Sequence, residues 1–119
     1  GYVAAEFAHV FSALGTQVTI VMRGGTLLKH ADDAICERFT RIASNKWELR
    51  AQRNVVDAKD RGDGVTLTLD DGSTLDADLL LVATGRVPNA DRLDAEQAGI
   101  DVEHGRVVVD EYQRTSARG

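Results

Sequence analysis

The chain has 119 residues, 43% of them hydrophobic and 28% charged, with a formal net charge of -5. That length suits one domain with a single core, the composition excludes a disordered or fibrous chain, and the acidic balance withholds the general attraction that nucleic acid or an anionic membrane surface requires. No apolar run reaches the roughly 18 residues that span a bilayer and no signal-peptide pattern opens the chain, so a cytoplasmic location is expected.

Between Val3 and Leu14, the residues Val3, Phe7, Val10, Phe11 and Leu14 recur at helical spacing, and Gly15 is placed to end that helix in the left-handed conformation. Gln17 to Met22 reads QVTIVM, apolar on both faces and rich in β-branching, the pattern of a buried parallel strand. Gly24 and Gly25 end it. A second helix is expected to start at Asp32 or Asp33, either of which can cap it, and to run to about Asn45 with Ile35, Phe39, Ile42 and Ala43 on one face. The single cysteine, Cys36, lies in this helix and can form no internal disulfide, so its spacing points to a small buried hydrophobe.

Short strands are expected at 47–50, 54–60, 65–70 and 74–78. The tight-turn sequences RGDG and DDGS separate the last three into an antiparallel meander. The continuous apolar run LLLVATG at 79–85 reads as a buried strand that returns to the parallel sheet. Beyond it lie Pro88, a weak helix near Asp91 to Gln97 and a hairpin about His104-Gly105. Helix, strand, helix and strand in this order predict an α/β, Rossmann-like fold, a parallel sheet plus a meander, whose first strand is missing from this chain. Unpaired edges favour association, so the isolated chain is expected to be unstable or to aggregate.

A dinucleotide-binding turn uses G-x-G-x-x-G/A between its first strand and first helix, and Gly1-Tyr2-Val3-Ala4 fits the second half of it. The helix N–H groups would then face phosphate oxygens. At the tip of the next strand, where an Asp or Glu would bind the ribose 2′-hydroxyl of NAD, stand Met22 and Arg23, followed by Lys29 and His30. A guanidinium holds a 2′-phosphate by charge-assisted bonds, whereas an acid repels it, so this corner prefers NADPH. The alternative is that Arg23, Lys29 and His30 are ordinary surface charges on a loop. His9, between apolar neighbours, reads as a packing or capping residue, and Asp32-Asp33 and Asp70-Asp71 as a helix start and a turn rather than a catalytic pair. No metal-ligand spacing and no catalytic triad is evident.

The segments GYVAAEFAHVFSALG, VTIVMRGGTLLKH, LLLVATGRVPN and VVVDEYQRTSARG together resemble the NADPH-binding domain of the glutathione-reductase-like flavoprotein disulfide reductases. The resemblance spans residues 1–119 and implies an NAD(P)H-binding domain without its first strand, the FAD domain or the dimerisation domain. It implies that the complete enzyme is a homodimer that passes hydride from NADPH through FAD and a redox cysteine pair to a small disulfide substrate. The flavin fingerprint, the cysteine pair and the C-terminal His-Glu pair have no match in this chain, so no catalytic residue and no metal ligand is assigned.

The resemblance further implies that Gly1, Tyr2 and Val3 lie along the dinucleotide, with the Tyr2 ring as a lid over the nicotinamide pocket. Glu6 matches a carboxylate near the nicotinamide, Arg23 and Lys29 the two basic 2′-phosphate contacts, Gly85 a turn approaching the cofactor, and Arg86 a basic residue beside the flavin domain. Val55 is expected near the adenine, although a strand valine is more often core. Lysine at position 29 offers a point charge without the bidentate fork of arginine. Two other readings stay open: an NAD-linked, dihydrolipoamide dehydrogenase-like flavoenzyme, against which Met22-Arg23 argues, and a nucleotide-sensing module without catalysis.

Overall fold

A computed structural model describes residues 1–117. Where length argues for a single core, the chain divides into two compact units, Gly1–Thr84 and Gly85–Gly119. Arg118 and Gly119, which end the last quoted segment, lie outside the described residues.

The first unit begins with α1, Tyr2–Ala13. Its C-terminus is a Schellman motif: Gly15, at φ 95°, donates its N–H to Ser12 O at 3.1 Å, and Thr16 donates to Phe11 O at 3.0 Å. Two carbonyls that the helix leaves over are thereby satisfied. The strand β1, Thr19–Met22, follows and pairs in parallel with β2, Glu48–Ala51, in the register Thr19–Glu48 to Met22–Ala51. Between them runs α2, Asp33–Ala43, capped by Asp32, whose carboxylate accepts from the Ala34 N–H at 2.9 Å. This β-α-β order is the parallel crossover that the alternating pattern predicts.

Most of the large apolar residues on the two helices lie outside the core. Val3, Phe7, Val10, Phe11 and Leu14 are all exposed, with Phe7 and Phe11 stacked at 5.8 Å, and α1 instead buries Ala5 and Ala8. On α2, Cys36 and Ala43 are buried and Phe39 is half-buried, while Ile35 and Ile42 face solvent. Periodicity reveals a stripe, but not which stripe meets the sheet. The small alanine face lets α1 approach closely, and the core assembles from Ala8, Ile20, Leu27, Ala43 and Trp47. Trp47 reaches across it and donates its indole N–H to Ser12 Oγ at 3.0 Å. A fully buried side chain of the Ile20 class contributes roughly 1.5–3 kcal/mol.

The meander is β3, Val55–Asp60, β4, Val65–Leu69, and β5, Thr74–Ala77, antiparallel in that order. Its turns fall on RGDG and DDGS as expected, where Asp60 accepts from the Gly62 N–H at 2.7 Å and Asp71 from the Ser73 N–H at 3.0 Å. Gly64 is required for close approach, because a Cβ there would lie 2.5 Å from Ala77 O.

Residues 79–84 correct the expectation of a buried strand. They form no strand, and Leu79, Leu80, Leu81 and Val82 are between 41% and 74% exposed. An extended run becomes a strand only when a neighbour accepts its backbone hydrogen bonds. Among the described residues β1 is bonded to β2 alone, so its other edge offers this run no intervening strand.

The second unit holds two short 3-10 turns, Ala90–Arg92 and Ala95–Ala98, in place of the expected helix at Asp91 to Gln97. Asp94, at φ 47°, breaks what would otherwise be a continuous helix. The small hairpin of β6, Val102–Glu103, and β7, Arg106–Val107, turns at His104 and Gly105, both with positive φ, where the sequence places it.

Candidate functional site

The N-terminus of α1 is open. Gly1 caps the helix without a side-chain bond, the first turn carries no acid, and a Cβ on Gly1 would meet nothing within 4 Å. The first-turn N–H groups thus have no side-chain acceptor and carry the positive end of the helix dipole. Tyr2 and Glu6, one turn apart, line a cleft of about 310 Å³ between the two helices, together with Phe39, Lys46 and Trp47. His9 lines the same cleft and is exposed, so it is not the packing or capping residue that its apolar neighbours suggested. Val3 is 53% exposed.

Arg23 is the residue immediately after β1, and Lys29 lies in the segment that joins β1 to α2. Both are exposed, as is His30, and none of the three forms a salt bridge among the described residues. The segment that carries them is pinned. Leu27, 3% exposed, donates its N–H to Thr40 Oγ1 at 2.9 Å, and the Cys36 thiol donates to Leu28 O at 3.1 Å. Thr40 in turn donates to Cys36 O at 2.7 Å. Cys36 is therefore buried as the sequence implies, and its sulfur also holds the loop. Leu28, at φ 56°, turns the chain just before Lys29.

Val55 opens β3 opposite Leu69 and is 45% exposed, so it is not a core valine. Gly85, at φ 133°, and the exposed Arg86 belong to the second unit. The first unit thus brings together Tyr2 with Glu6 on one cleft, and Arg23 with Lys29 on one pinned segment. Sequence reasoning missed Leu27, Thr40, Gln52 and Arg53, which hold that segment. The one available signal was Thr40, four residues after Cys36 and so on the same helical face.

The carboxyl of Asp71 is held at about 2, well below the usual carboxylate range, chiefly by the Ser73 hydroxyl, then by the Ser73 N–H and the Arg53 guanidinium. Each favours the charged form.

An open helix N-terminus ahead of a parallel β-α-β unit is the arrangement of a Rossmann-type α/β protein. The chain matches the pyridine nucleotide-disulphide oxidoreductase family over residues 1–119, and it belongs to that family. It is 76% identical to mycothione reductase of Mycobacterium tuberculosis over 119 residues, all of this chain and 26% of the relative. It is 36% identical to glutathione reductase of Nostoc sp. over 130 residues, 98% of this chain and 28% of the relative. Among solved structures, the HOCl-induced flavoprotein disulfide reductase RclA from Escherichia coli superposes with a TM-score of 0.85 at 31% identity, covering 98% of this chain and 27% of that one. The chain thus spans about a quarter of the length of the curated relatives it matches. No helix among the described residues is long and apolar enough to cross a membrane.

Proposed function

We propose that this chain is the NADPH-binding part of a FAD-dependent disulfide reductase whose substrate is a low-molecular-weight disulfide, mycothione in particular. The observation that carries the reading is Arg23, exposed at the tip of β1 without an acidic partner among the described residues. An NAD-selective site would place a carboxylate at such a tip. The choice of mycothione rests on the relative that is 76% identical.

The residues fit the cofactor. The open N-terminus of α1, with Gly1 and Val3, would accept the pyrophosphate, whose charge answers the helix dipole. Tyr2 and Glu6 would border the nicotinamide, and Val55 the adenine. Arg23 and Lys29 would hold the 2′-phosphate, Arg23 by paired hydrogen bonds and Lys29 by charge alone. Gly85 and Arg86 join the set through the family resemblance. Bound NADPH supplies a hydride, and with one proton the net reaction converts the disulfide to two thiols. The complete enzyme is read as a cytoplasmic homodimer with domains 1–119 does not contain: the FAD domain with its cysteine pair, and the dimerisation domain.

The test is kcat/KM for NADPH and for NADH in the full-length enzyme, with and without Arg23→Glu. A charge-assisted bond of about 2–3 kcal/mol corresponds to about 30- to 150-fold discrimination. NADPH is expected to win by that margin, and the substitution to erase it. Equal use of NADH by the unaltered enzyme would move the NAD-linked reading ahead.

A further inference from the structure

The segment after β1 is held on one side by α2 and on the other by the end of β2. Gln52, the residue after β2, takes the left-handed conformation at φ 55° and donates its N–H to Gly24 O at 3.2 Å. Arg53 donates its N–H to Met22 O at 3.1 Å. The two carbonyls that flank Arg23 in the chain are therefore both bound by this pair. The Gln52 side chain lies alongside as well, its Nε2 3.9 Å from where a Cβ on Gly25 would stand.

A left-handed glutamine is uncommon and needs support from its surroundings. That support comes from the Arg53 guanidinium, which donates Nη1 to Gln52 O at 2.8 Å and Nε to Asp71 Oδ2 at 2.6 Å. Asp71 is fixed in its turn, because its other oxygen accepts the Ser73 N–H and hydroxyl at 3.0 and 2.6 Å. A chain of hydrogen bonds thus runs from the β4–β5 turn through Arg53 and Gln52 to Gly24, next to Arg23.

We propose that Arg53 is a positioning residue for 2′-phosphate recognition, holding the Gln52 bend that fixes the backbone on both sides of Arg23. This rests on the reading of Arg23 as the phosphate anchor. A guanidinium meets a phosphate through a directional fork, so a small shift of its backbone weakens the grip. NADH carries a hydroxyl at that position, draws nothing from Arg23 and should not register the shift.

The experiment measures kcat and KM for both nucleotides in the full-length enzyme carrying Arg53→Ala, Asp71→Asn or Arg23→Ala. Arg53→Ala is expected to lower kcat/KM for NADPH about 5- to 10-fold through KM, with kcat kept and NADH changed by less than about twofold. Asp71→Asn, which preserves the shape of the turn, should move the ratio in the same direction by about 2- to 3-fold. Adding Gln52→Gly to Arg53→Ala should recover the NADPH preference, since glycine takes the left-handed bend without enforcement. Losses of equal size for both nucleotides, or none for either, overturn the positioning role when Arg23→Ala removes the preference in the same assay. If Arg23→Ala leaves the preference intact, the phosphate anchor is misassigned and the positioning role falls with it.

Discussion

Residues 19–22 and 79–84 are both short apolar runs, TIVM and LLLVAT, in the same compact unit. The first pairs residue by residue with β2 and buries Ile20 in the core, whereas the second pairs with nothing among the described residues and leaves four large side chains largely in solvent. Hydrophobicity alone therefore does not make a strand. β1 receives a ladder partner from its own crossover, which satisfies its backbone groups as its side chains are buried. Residues 79–84 have the side chains of a strand, but no neighbour among the described residues bonds to their backbone.

That contrast can be broken by substitution in the full-length enzyme, followed by urea unfolding. Ile20→Ala is expected to destabilise by about 2–5 kcal/mol, because it opens a cavity beside Ala8, Leu27 and Trp47. A loss of stability, from the urea midpoint and slope, below the bottom of that range would show that β1 is no better anchored than the exposed run. In the 119-residue chain, Leu81→Asp is expected to reduce light scattering at high concentration, because an exposed apolar run without backbone partners invites association.

The smallest expected effect concerns acid. Asp71 is depressed from 3.8 to about 2 in the folded chain, so its contribution is fully present above about 3.8 and is lost as pH falls toward about 2. Loss of amide protection in the β4–β5 turn should follow that window in the parent chain and vanish from it in Asp71→Asn. An unchanged profile in the variant would separate the turn from this carboxylate.

Much of the scaffold was legible. Gly15 as a left-handed cap, Asp32 as a helix cap, the turns at RGDG and DDGS and the hairpin at His104-Gly105 all depend on a few neighbouring residues, and each lies where local chemistry puts it. The candidate site was legible in the same way: an open helix start at Gly1 and an arginine after β1 are local facts. Less legible was the packing. The large apolar residues of α1 mark its helical spacing, yet Ala5 and Ala8 are the side chains that are buried. Small residues leave only a faint hydrophobic signal although they permit the closest approach.

The sequence by itself determined the order of the elements as far as β5, their caps and turns, the cation at the strand tip and the family likeness, because each is set by the backbone and side-chain chemistry of adjacent residues. Only the tertiary structure decided which helical stripe is buried, that residues 79–84 stay unpaired, and that Gln52 and Arg53 bracket Arg23. Those outcomes depend on contacts between residues about 30 apart in the chain, such as Arg53 N–H with Met22 O, and local spacing carries no record of which distant partner accepts a hydrogen bond.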